Sequence, residues 1–166
     1  MAATTTTSLA NSASTATTHA SMGSNIKVPY LVEVEINWAD VLASKGSALE
    51  ANEVVQCIRV PAGTIILGAG AQVVTAVDAT AATIDVGITG GDTDEWVNDF
   101  DIKGTAGTYS TDLSASPVWT TLGTADTIDI LLASLTGTLA AGKTRVYALL
   151  QDVSPKKVPG LVALGS

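Results

Sequence analysis

Five carboxylates fall within ten residues, at Asp92, Asp94, Glu95, Asp99 and Asp101. They are the densest set of groups in the chain that could do chemistry. Oxygen sets of this kind bind hard cations such as Ca²⁺, which makes Asp92, Asp94, Asp99 and Asp101 the calcium candidates. The run Asp92-Thr93-Asp94-Glu95-Trp96 opens like an EF-hand loop and then departs from it. Its fifth position is Trp96 and its sixth is Val97, where that loop needs an oxygen donor and a glycine. The plainer reading is a solvated acidic loop whose carboxylates cap their own backbone. The expectation is therefore no metal.

Paired carboxylates could also cleave a glycosidic bond. Sugar-cleaving clefts carry aromatic platforms, and this chain has only three Trp, three Tyr and one Phe. Trp96, Phe100, Tyr109 and Trp119 lie near the acidic segment in sequence. They read better as side chains that pack the loop onto the domain.

Other chemistry lacks its parts. Catalysis needs a proton-transfer group or an activated nucleophile. The single histidine, His19, sits in a Thr/Ser-rich arm with no rigid scaffold to hold it. The single cysteine, Cys57, lies in the apolar run Val54–Val60 and reads as a buried thiol. One His and one Cys cannot build a zinc site. The string Gly68-Ala69-Gly70-Ala71-Gln72-Val73 looks superficially like a phosphate loop. It lacks the preceding strand and following helix that give such a loop its meaning. The reading is of a protein that is not an enzyme, with no cofactor and no small-molecule substrate.

The elements that position these residues divide the chain in three. Residues 1–25 hold seven Thr, six Ala and five Ser and no charged side chain. That arm cannot bury enough apolar surface to fold alone. Residues 26–153 have the length of one all-β domain, large enough to bury a core without disulfides or a metal. Residues 154–166 form a short, mostly apolar tail bracketed by Pro155 and Pro159.

Within the domain, β-branched residues dominate, with 23 Thr in the whole chain, and these favour a pleated surface. In Val28–Ile36 the even positions Val28, Tyr30, Val32, Val34 and Ile36 share one face. Pro29, Leu31, Glu33 and Glu35 share the other. Thr83–Ile88 and Thr127–Leu132 alternate in the same way. Glu53–Val60, Thr64–Leu67, Ala71–Val77, Val118–Leu122 and Thr144–Val153 complete the set of strands. Gly68-Ala69-Gly70 reads as a bulge or bend between two of them. Pro61-Ala62-Gly63-Thr64 has turn chemistry. Trp38–Glu50 reads as a loop or single turn closed by Gly46, and Gly90–Gly107 as irregular. About eight short strands at this spacing predict an antiparallel β-sandwich, jelly-roll-like, carrying an extended N-terminal arm.

The net charge of −8, with eight Lys and Arg against sixteen Asp and Glu, argues against nucleic acid and against an anionic membrane. No apolar run reaches the ~20 residues of a membrane helix. The N-terminus has no basic and then apolar run of a signal peptide, so synthesis in the cytoplasm is expected.

The segment Ala82-Thr-Ile-Asp-Val-Gly-Ile-Thr-Gly-Gly-Asp-Thr-Asp-Glu-Trp-Val-Asn-Asp-Phe-Asp-Ile resembles structural proteins of tailed bacteriophages, including those of marine and cyanobacterial hosts. So does its lead-in, Arg59-Val-Pro-Ala-Gly-Thr-Ile-Ile-Leu-Gly-Ala-Gly. The resemblance covers roughly residues 58–102 and the closing strand pattern of Thr127–Val153. It implies a β-sandwich or jelly-roll virion component, a capsid decoration (cement) protein. Its partners would be the major capsid protein and copies of itself, with a trimer as the expected oligomer. Its location would be the capsid surface, after synthesis in the host cytoplasm. The arm would add a strand or an extended peptide to an adjacent subunit. The alternatives are another virion part (a head fibre base, neck or tail protein) and a host-surface or carbohydrate-binding β-sandwich module.

Overall fold

The computed structural model describes the backbone of residues 4–5 and residues 27–88, 90–110 and 119–154. In chain order the elements are β1 (Thr4–Thr5), β2 (Tyr30–Asn37), α1 (Trp38–Lys45), β3 (Val54–Val60), β4 (Thr64–Thr75), β5 (Ala81–Gly87), β6 (Val97–Asp101), β7 (Thr120–Leu122), β8 (Asp126–Thr136) and β9 (Lys143–Asp152).

Two sheets form the layers. One runs β2-β9-β4-β7, the other β1-β3-β8-β5-β6. From β2 to β9 the pairing is nested. The first strand pairs with the last, β3 with β8, β4 with β7 and β5 with β6, all antiparallel. A long hairpin rolled over on itself gives this order, which is the jelly roll. The β-sandwich expected from the strand pattern is the fold observed, and the topology resolves it as a jelly roll.

Alternation explains the core. Val32, Val34 and Ile36 of β2 point inward, as the period-two pattern requires. Ile84 and Val86 of β5 and Ile128, Ile130 and Leu132 of β8 meet them from the other sheet. Each such side chain stabilises the fold by roughly 1.5–3 kcal/mol when fully buried. Trp38 is fully buried in the core, and its indole N–H donates to Thr144 Oγ1 at 3.0 Å. That bond satisfies two polar groups that would otherwise be buried without a partner.

Three elements differ from the sequence expectation. Trp38–Lys45 is a two-turn helix and not a loop. Asn37 caps it by accepting from the Ala39 N–H at 3.2 Å, and Gly46 closes it at φ 73 with its N–H on the Leu42 carbonyl. At Gly68-Ala69-Gly70 the expected bulge or bend is a bulge, and the two strands expected around it are one twelve-residue strand, β4. The irregularity is a register shift between Ile66 and Gly68, so Leu67 is the extra residue of a bulge. Within the stretch expected to be irregular lies a strand, β6.

Candidate assembly surface

The acidic segment folds over the outer face of the five-stranded sheet. Gly87 of β5 faces outward there, opposite Asp129 of β8. A Cβ on Gly87 would come within 2.2 Å of the Asp92 carbonyl oxygen and 2.4 Å of the Thr93 carbonyl carbon. The loop can lie this low only because residue 87 has no side chain. Asp129 is buried beside it.

Each acid has a local task. Asp85 is buried on the outer face and accepts from the Asp99 N–H at 2.7 Å. Asp99 has a positive φ of 51 at the register shift of β6, a conformation that Asp tolerates better than most residues. Burial, and then the Asp99 charge, push the Asp85 carboxyl above its usual range. Asp94 accepts from Asn98 Nδ2 at 2.6 Å. Its hydrogen bond with Asp92 raises its pKa, with burial and the Asp92 charge acting in the same direction. Asp101 accepts from the Lys103 N–H at 2.8 Å, and Glu95 accepts from the Thr120 hydroxyl. Among the described residues no three His, Cys, Asp or Glu side chains gather into a set able to hold a metal ion. The four calcium candidates are spread over turns and a bulge.

Trp96 is buried and Phe100 nearly so, so these two do pack the loop onto the sandwich. Tyr109 and Trp119 are exposed, Trp119 to 69%. Cys57 is buried, and burial pushes its thiol far above the usual range, which leaves it inert near neutral pH. His19 lies outside the described residues.

The outer face of the four-stranded sheet has a different character. Three cross-strand rows define it. Leu31 of β2 stands opposite Leu149 of β9, which stands opposite Gly68 of β4. The next row is Glu33, Tyr147 and Gly70, and the one after is Glu35, Arg145 and Gln72. The Tyr147 ring lies across Gly70, where a Cβ would meet the phenol oxygen at 2.5 Å. Tyr109 meets Tyr147 edge-on, with ring centroids 6.2 Å apart. Glu35 pairs with Lys143 at 2.7 Å, and that hydrogen bond holds its carboxyl below the usual range.

One end of this face is therefore charged and the other apolar. Leu31 is 64% exposed and Leu149 40%, and Val153, exposed as well, follows at the end of β9. A Cβ added to Gly68 would meet nothing within 4 Å, so the Leu31–Leu149 row ends in open space. Both terminal segments leave the body at this apolar end. Lys27 binds Asp152 at 3.2 Å and also the Ser154 carbonyl, fixing the root of the arm to the root of the tail. An exposed cross-strand leucine pair beside the roots of two terminal segments suits contact with another protein. Alternation alone placed Leu31 on the wet face. The signal that could have singled it out was a leucine, next to Pro29, at an outward position otherwise held by Glu33 and Glu35.

No family model matches the sequence, and comparison with curated proteins finds no match. Solved structures do share the fold. A chain of the cyanophage Pam1 capsid asymmetric unit superposes with a TM-score of 0.56 at 18% identity, over 78% of this chain and 89% of that one. A chain of the capsid of Ralstonia phage GP4 superposes with a TM-score of 0.54 at 17% identity, over 81% of this chain and 90% of that one. At such identity the likeness is one of fold.

Proposed function

We propose that this chain is a structural virion protein that decorates and stabilises a phage capsid through subunit–subunit contacts. One observation carries the reading: the Pam1 and GP4 chains are parts of phage capsids and are matched over about nine tenths of their length. They are thus chains of about this size, and the likeness is to a whole small capsid component. The surface agrees with the role. A rigid jelly roll presents an apolar end with two terminal segments rooted beside it. The partners are the major capsid protein and further copies of this chain, with a trimer as the closed assembly. The place is the capsid surface, reached after synthesis in the host cytoplasm. A role at the neck, the tail or a fibre base would use the same fold at far lower copy number.

Reconstitution tests the reading. Particles lacking the protein are heated with and without the purified chain added back. Decoration raises the temperature at which the particles release their DNA. Particles that bind none of the chain, or that open at the same temperature, contradict it.

Trp119 favours a second reading. An exposed Trp within one residue of the Thr120–Glu95 contact is a surface on which a sugar ring could stack, and jelly rolls also serve as lectin domains. Glycan binding that is lost in Trp119→Ala would support a host-surface module.

A further inference from the structure

The five-stranded sheet ends on β1, the short piece of the arm that pairs with β3. Thr4 pairs with Val55 and Thr5 with Gln56 in parallel register. Every other ladder among the described residues is antiparallel. β1 is therefore an addition to the eight-stranded roll. It fills an edge that would otherwise offer unpaired N–H and C=O groups to any passing strand. Helix α1 lies against β1 as well, so the edge is a slot with a wall.

We infer that the β3 edge is the acceptor for the N-terminal arm of a second copy of this chain. The inference builds on the reading of a self-associating virion protein and names its contact. Length is the first argument. Residues 6–26 join β1 to Lys27, at the threshold of β2, and β2 and β3 are neighbours across the edge of the sandwich. Packed sheets are about 10 Å apart, a gap that a few residues cross. Twenty-one extended residues span roughly 70 Å, enough to reach a neighbouring domain.

Energetics is the second argument. A two-residue ladder gains little more than the closure of so long a loop costs, so this described contact alone does not hold the arm firmly to its own body. The slot on a neighbour is chemically identical. Once copies stand side by side, the local concentration of foreign slots matches that of the chain's own. Composition is the third argument. The arm carries no charged side chain, so it can leave water and enter an acidic neighbour's edge without desolvating or repelling a charge. Exchange of an identical element in one rotational sense closes a ring.

Two full-length variants, Thr5→Cys and Gln56→Cys, decide the matter when mixed and oxidised at concentrations where the protein self-associates. Cys57 is buried and does not compete. Exchange predicts a covalent heterodimer through the two introduced thiols, identified by peptide mapping, several-fold above either homodimer. The doubly substituted chain should then give reducible multimers. A double variant that links only within one chain, beside a mixture without heterodimer, overturns the inference in favour of self-docking. Absence of any such link overturns it by taking the arm off this edge. Either failure leaves the virion role to be judged separately, by the content of purified particles.

Discussion

Gly87 lies beneath Asp92 with no room for a side chain: a Cβ there would stand 2.2 Å from the Asp92 carbonyl oxygen, the same oxygen that accepts from the Ile88 N–H at 2.8 Å. This single close approach lets the acidic loop cover the five-stranded sheet.

Gly87→Ala is therefore expected to be costly. The neighbouring atoms are backbone and cannot rotate away, and overpacking of this kind costs about 1–3 kcal/mol or more. Thermal unfolding should show a loss of several degrees. Gly68→Ala is the control. Its site is open and its φ is ordinary, so its melting temperature should hold or rise slightly. Equal effects at both sites would contradict the loop placement.

Carboxylates of opposite character set the pH dependence. Asp85 has a raised pKa, so its folded form holds a proton more tightly than the unfolded chain does. Its ionisation costs stability at neutral pH, and the cost is relieved as pH falls through the folded pKa. Asp85→Asn keeps an oxygen for the Asp99 N–H and removes the charge. It should melt higher at pH 7, with the difference shrinking toward pH 4. Asp78 behaves in the reverse sense. The Ala140 N–H at 2.9 Å, with the Ala141 N–H at 3.0 Å, holds its carboxyl below the usual range. Asp78→Ala should melt lower at pH 7, and that difference should fade in acid. A reversed sign for either variant would refute its assignment.

Calcium should leave the melting temperature unchanged. A filled site at a hundred times its Kd would stabilise the fold by about 2.7 kcal/mol, which a melting curve resolves as several degrees. The spread of Asp92, Asp94, Asp99 and Asp101 over separate turns leads us to expect no such shift. A clear rise with Ca²⁺ and not Mg²⁺ would revive the cation site.

Leu31 and Leu149 carry the prediction for assembly. Both are exposed, so Leu31→Ser with Leu149→Ser should change stability by no more than about 0.5 kcal/mol each. Binding to particles should fall at least tenfold. Unchanged binding would move the contact to another face.

Much of the fold was legible in the sequence because period-two alternation is local. Val32, Val34 and Ile36, and likewise Ile128, Ile130 and Leu132, declared their buried face without help. What escaped had physical reasons. The eight residues of α1 are too few for a helical period to emerge, though Asn37 and Gly46 carry the caps. In β6 the alternation is broken by Asp99 at positive φ, so a strand looked like a loop. In β4 two glycines beside a bulge suggested two strands where one runs through. The apolar row at Leu31, Leu149 and Gly68 exists only once β2, β9 and β4 lie side by side, and no short-range pattern encodes that.

The most direct test of the central claim is the copy number of this chain in purified particles, by quantitative mass spectrometry against the major shell protein. Decoration predicts a count comparable to that of the shell protein. A count near a dozen would place the chain at the tail, neck or a fibre base, and its absence from particles would contradict the virion role altogether.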